Sequence, residues 1–139
     1  TVKKLRWAPD IVICQGWMGA VVPFYIKKAY HDEPSFANTK IISLLFENQL
    51  KSDFGENFKR CIEYKGAKAE LLDSYKKKFD FLELGKLAVD YSDGIIEAGN
   101  HVSQDFLKEA VEKKKPLLKY PGDNTQAYVD FMNQISSDK

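Results

Sequence analysis

Apolar positions along this chain follow two rhythms. Short runs rich in apolar residues, Ile11 to Gln15 and Lys40 to Phe46, read as strands, and the second has the length of a strand buried on both faces. Elsewhere apolar residues recur at helical spacing: Val21, Phe24, Tyr25 and Ala29 within Trp17 to Tyr30, and Leu82, Gly85, Leu87, Ala88 and Tyr91 within Phe81 to Tyr91. A third helix, Thr125 to Ser136, places Tyr128, Phe131, Met132 and Ile135 inward. Pro23 inside the first helical stretch predicts a kink or a late start, because proline lacks the N–H the helix needs. Strands that alternate with helices signal βαβ units, so the expected fold class is α/β with a mainly parallel sheet.

The remaining segments fit one domain over residues 1–139. Residues His31 to Asn38 read as a loop, and 47–80 as a polar helical insertion carrying Phe54, Phe58, Cys61, Ile62 and Tyr64, interrupted by Gly55 and Gly66. Asp93-Gly94 turns the chain into a strand from Ile95 to Ala98. Asn100 or Ser103 can cap a helix from Ser103 to Lys114, which Pro116 stops. Leu117 to Tyr120 then forms a short strand before the turn Pro121-Gly122-Asp123. The chain opens on Thr1, and Thr1 to Trp7 reads like the last turns of a helix, so a longer parent polypeptide is expected.

Charge narrows the partners. Twenty-one basic residues against 20 acidic ones leave a formal +1, too weak a field to argue for nucleic acid or an anionic membrane. No apolar run approaches the roughly 20 residues needed to span a bilayer. Cys14 and Cys61 lack CxxC spacing, and two histidines cannot complete a metal set, so reduced thiols, a cytoplasmic location and no metal or cofactor are expected.

The candidate chemistry concentrates at Gln15-Gly16-Trp17, where the first strand hands over to a helix, the place where α/β folds hold ligands. Gln15 can donate and accept hydrogen bonds but does not titrate near neutrality. Gly16 leaves backbone N–H groups open to an anion, or simply makes a tight turn. Trp17 can offer a flat aromatic face to a ligand or anchor the helix to the sheet. His31 and His101 read as surface residues, and no Ser-His-Asp set can be assembled from them. Lys76 to Lys78 and Lys113 to Lys115 read as solvated helix faces, and Glu47, Glu83 and Glu97 as unpaired carboxylates.

Three landmarks in order carry a resemblance. PDIVICQGWMGA at Pro9 to Ala20 resembles the strand of bacterial glycogen and starch synthases that ends in His-x-His-Asp-Trp, with Ile13, Cys14, Gln15, Gly16 and Trp17 at those places. KIISLLFE, at Lys40 to Glu47, is similar to the family's Lys-Val-Val-Phe-Thr-Ile-His-Asn, with Phe46 at the histidine. KLAVDYSDGIIEAG, at Lys86 to Gly99, is similar to the segment in which a helix ending Tyr-Ala-Asp leads into a strand that closes with Val-Ser. The chain looks closest to short single-domain homologues of that family.

The resemblance implies a three-layer Rossmann-like domain, half of a GT-B glycosyltransferase. It implies retaining transfer of glucose from ADP-glucose to an α-1,4-glucan in glycogen biosynthesis, with Gln15, Gly16 and Trp17 at substrate-binding positions. Catalytic residues are not assigned. The groups that would neutralise the departing diphosphate belong mainly to the second half of such an enzyme, so these 139 residues alone are expected to be inactive. A non-catalytic carbohydrate-binding, regulatory or oligomerising relative is the alternative, and a homo-oligomer stays open.

Overall fold

The computed structural model describes residues 4–15, 19–30, 32–45, 55, 57–64, 66–73, 75, 80–99, 102 and 104–137. Strand β1, Ile11–Gln15, has the predicted limits, and β2, Lys40–Leu45, lies beside it in parallel with Ile11 opposite Lys40 and Gln15 opposite Leu44. Strand β3, Gly94–Glu97, pairs in parallel with β2, and β4, Leu117–Leu118, with β3. The sheet order is β1-β2-β3-β4. All four carboxyl ends therefore lie along one edge, called here the carboxyl edge.

The helix after β1 shows what Pro23 does. Gly19 is helical, Ala20 and Val21 form a turn, and helix α1 resumes at Val22–Phe24 with the proline in its first turn. Proline cannot donate to the carbonyl four residues back, and its ring clashes with it. Past the proline the chain winds wide as a π-turn over Tyr25–Ala29, with the N–H of Tyr30 donating to the carbonyl of Tyr25 at 3.0 Å. The interruption expected at Pro23 is thus present, as a late helix start followed by a wide turn.

Within the expected insertion the described part is two short helical turns, α2 at Phe58–Cys61 and a 3₁₀ turn at Ala69–Leu72, with Tyr64 and Ala67 bridging between them. Residues 47–54, 56, 65, 74 and 76–79, Phe54 among them, lie outside the described residues. Helix α3, Phe81–Asp90, starts on Asp80, whose carboxylate accepts from the Glu83 N–H at 2.9 Å. Helix α4, Gln104–Glu112, ends earlier than Lys114. Lys114 takes a left-handed conformation at φ 54°, and Lys115 N–H returns to the Ala110 carbonyl at 2.8 Å. That is the usual left-handed helix stop, so the helix ends before Pro116 is reached. The proposed caps Asn100 and Ser103 lie outside the described residues. Helix α5, Thr125–Ser137, follows the turn at Gly122.

Alternation along the strands sorts these helices into layers. Cys14, Ile41, Leu45 and Ile95 face α1, α3 and α4, packing on Ile26, Val89, Phe106 and Ala110. Ile42 and Ile96 face the other way, onto Phe131 and Ile135 of α5. The result is the three-layer α/β arrangement expected, with the sheet centre fully buried. α3 and α4 approach closely at Gly85, where a Cβ would fall 2.2 Å from the ring of Phe106, so this position admits no larger side chain without repacking.

Candidate functional site at the carboxyl edge

Gln15 is the last residue of β1 and is exposed, so its amide faces solvent at the carboxyl edge. Gly16 and Trp17 lie outside the described residues, as do His31, Phe46, Glu47, Lys76 to Lys78 and His101. Cys14, one step inside the edge, is buried, and burial pushes its thiol up to about 11. It therefore stays protonated at neutral pH and cannot serve as a thiolate nucleophile.

Two strands away, Glu97 closes β3 opposite Leu45. Its carboxylate accepts the backbone N–H of Tyr120 at 3.1 Å, tying the end of β3 to the segment after β4. Tyr120 itself is 39% exposed. With strands about 4.8 Å apart, the backbones of Gln15 and Glu97 stand roughly 10 Å apart along the edge, and because Gln15 pairs with Leu44 and Glu97 with Leu45, their side chains leave opposite faces of the sheet and flank the edge from either side. An amide, a carboxylate and an exposed phenol ring suit neutral hydroxyl groups: the ring offers a stacking face, and the polar groups offer donors and acceptors. Sequence reasoning left Glu97 unpaired and passed over Tyr120. The only signal was an aromatic residue beside a Pro-Gly turn after a short strand.

The other candidates separate from this edge. Glu83 is buried in the first turn of α3, with Lys86 Nζ 3.9 Å away. Lys113 to Lys115 form the stop of α4. No cluster of three or more histidine, cysteine, aspartate or glutamate side chains among the described residues could hold a metal. No helix among them is long and apolar enough to cross a membrane.

The third landmark of the sequence works at the opposite edge. Asp93 accepts the Ile41 N–H and the Lys27 ammonium, both at 2.9 Å, while its own N–H donates to the Ile41 carbonyl at 2.7 Å. It joins β2, the π-turn after α1 and the start of β3, which is structural work.

The starch synthase catalytic domain model matches residues 1–119, from before β1 through β4. This chain belongs to the starch synthase catalytic domain family. Within it, the chain is 29% identical over 118 residues to the glycogen synthase of Clostridium perfringens, covering 78% of this chain and 22% of that protein. It is 32% identical over 59 residues to the glycogen synthase of Vibrio parahaemolyticus, 42% of this chain and 12% of that one. It is also 42% identical over 41 residues to the glycogen synthase of Thermotoga petrophila, 30% of this chain and 8% of that one. The chain thus spans about a fifth or less of the length of these relatives. No solved structure matches it. Helix α5, which covers the second face of the sheet, lies beyond the family match.

Proposed function

We propose that this chain serves glycogen or starch synthesis as a sugar-holding part of an ADP-glucose-dependent glucosyltransferase, with the carboxyl edge of its sheet as the site. Family membership over residues 1–119 carries the reading. The edge supports it, since Gln15, Glu97 and Tyr120 offer hydroxyl-binding groups and a stacking face. Gln15, and Gly16 and Trp17 after it, are the proposed contacts to the donor sugar or the α-1,4-glucan.

Transfer itself calls for positive charge against the departing diphosphate, which is the largest electrostatic requirement of the reaction. In this reading the chain binds sugar but turns over only with further parts of such an enzyme, in the cytoplasm, with self-association as one way of assembling them. A second reading, carbohydrate binding without transfer, is favoured by one observation: the residue at the end of β1 is an exposed glutamine with no titrating group, where the resemblance places a histidine.

An NMR titration of the chain with a malto-oligosaccharide and, separately, with ADP-glucose tests both. Shifts localised at Gln15, the Trp17 indole, Glu97 and Tyr120 are the expected result. Shifts with the glucan alone favour the second reading, and a spectrum unmoved by either ligand overturns both.

A further inference from the structure

At the edge of the sheet opposite the carboxyl edge, the end of α3 carries a carboxylate that is only half satisfied. Tyr75 donates its hydroxyl to Asp90 Oδ2. Asp90 Oδ1 is buried, yet no donor reaches it. A buried acceptor without a donor is costly, the more so on a charged group. The Glu109 side chain of α4 lies beside the Asp90 carboxylate, and it has no hydrogen to give while ionised.

We propose that Asp90 and Glu109 share one proton, and that this proton latches α3 to α4 and is released as pH rises. With Glu109 protonated, its carboxyl donates to the Asp90 carboxylate, and Asp90 then holds two donors, Tyr75 from the 69–75 segment and Glu109 from α4. With Glu109 ionised, two negative charges face each other and one oxygen loses its donor. No other atoms change hands: the proton passes to solvent through an open hollow of about 360 Å³ lined by Leu71, Tyr75, Asp90, Tyr91, Lys113 and Lys115.

The charges around the pair set the balance. Burial, the hydrogen bond to Asp90 and the Asp90 charge all raise the Glu109 carboxyl above its ordinary value of 4.5, and Lys113 and Lys86 pull it back only in part. Burial, with the bond to Asp90 and the charges of Asp90 and Glu109 beside it, pushes the Tyr75 hydroxyl up, so it remains a donor throughout. Tyr91 is raised by burial and by Asp90 and remains neutral as well. Glu109 is therefore the group that changes.

The sign follows from linkage. A carboxyl raised in the folded state binds more protons there than in the unfolded chain, so its contribution falls as pH rises from about 4.5 through the folded value. This latch strengthens on acidification, the reverse of an ordinary salt-bridged carboxylate. It also rests on none of the sugar-binding groups, which lie at the other end of the strands.

Carboxyl carbon NMR of the full chain tests the idea directly, with Glu109→Gln as the companion variant because its amide can donate to Asp90 at every pH. The expected results are a Glu109 midpoint above 4.5 that moves down in Asp90→Asn, and a melting-temperature advantage of Glu109→Gln over the parent that grows between pH 4.5 and 7. A Glu109 midpoint at or below 4.5, or a difference between Glu109→Gln and parent that stays flat with pH, would overturn the latch. Should Asp90→Asn fail to fold, the parent midpoint and the Glu109→Gln comparison still decide.

Discussion

Two serines show how a family pattern is rewritten residue by residue. The family strand that resembles β2 carries phenylalanine where Ser43 stands, and its Tyr-Ala-Asp carries alanine where Ser92 stands. Here both residues are buried, and their hydroxyls bond to each other, with Ser92 donating onward to the Ala88 carbonyl. Since Ser92 spends its hydrogen on Ala88, Ser43 is the donor between them. The two serines form a matched polar pair, which is tolerable inside a core only when both members are satisfied. Ser92→Ala strands the Ser43 hydroxyl and is expected to cost about 1–3 kcal/mol. The double variant Ser43→Ala with Ser92→Ala is expected to cost less than the sum of the singles, by about 1 kcal/mol. Urea denaturation of the three variants measures this, and strict additivity would mean that the hydroxyls do not act as a pair.

Elements were legible from the sequence where one physical signal dominated. β1 and β2 announce themselves as apolar β-branched runs, and α3 and α5 by their periodicity, because burial on defined faces fixes both patterns. What was hidden depends on contacts between elements. The wide turn after Pro23 relieves a clash that the sequence reveals only as a kink, and α4 ends at a left-handed lysine where a glycine would have been readable. The tie made by Asp93 is of the same kind. It takes an N–H from β2 and an ammonium from the π-turn after α1, so removing it disconnects three elements at once. Asp93→Ala is expected to destabilise the chain by about 1–3 kcal/mol, because the Ile41 N–H at the start of a buried strand loses its acceptor. Lys27→Ala is expected to cost no more than about 1 kcal/mol, because that ion pair is about a third exposed and screened by solvent. Chemical denaturation orders the two variants, and equal losses would assign the tie to the ion pair instead of the backbone bond.

At the scale of the molecule, the candidate site was half legible. The end of β1 at Gln15 followed from the apolar run that stops there, but Glu97 and Tyr120 come from the end of β3 and the segment after β4, which are distant in sequence and reach the same edge only once the sheet forms. The same sheet leaves its outer strand β1 unpaired on one side among the described residues, with Ile13 44% exposed on the face that α5 covers farther along. Leu5 and Trp7, just before the strand, are 67% and 60% exposed. An open strand edge flanked by exposed apolar side chains, with no lysine or proline in the strand to blunt it, is a template for association. Self-association that rises with concentration is therefore expected by light scattering. Ile13→Lys is expected to suppress it while changing stability by no more than about 1 kcal/mol, because the replaced side chain is only partly buried at 44% exposure. The charge on this strand would point away from the layer of α1, since Ile13 and Cys14 face opposite sides of the sheet. Undiminished association in Ile13→Lys would move the contact elsewhere on the surface, and a large loss of stability would show that the outer face of β1 is covered in solution.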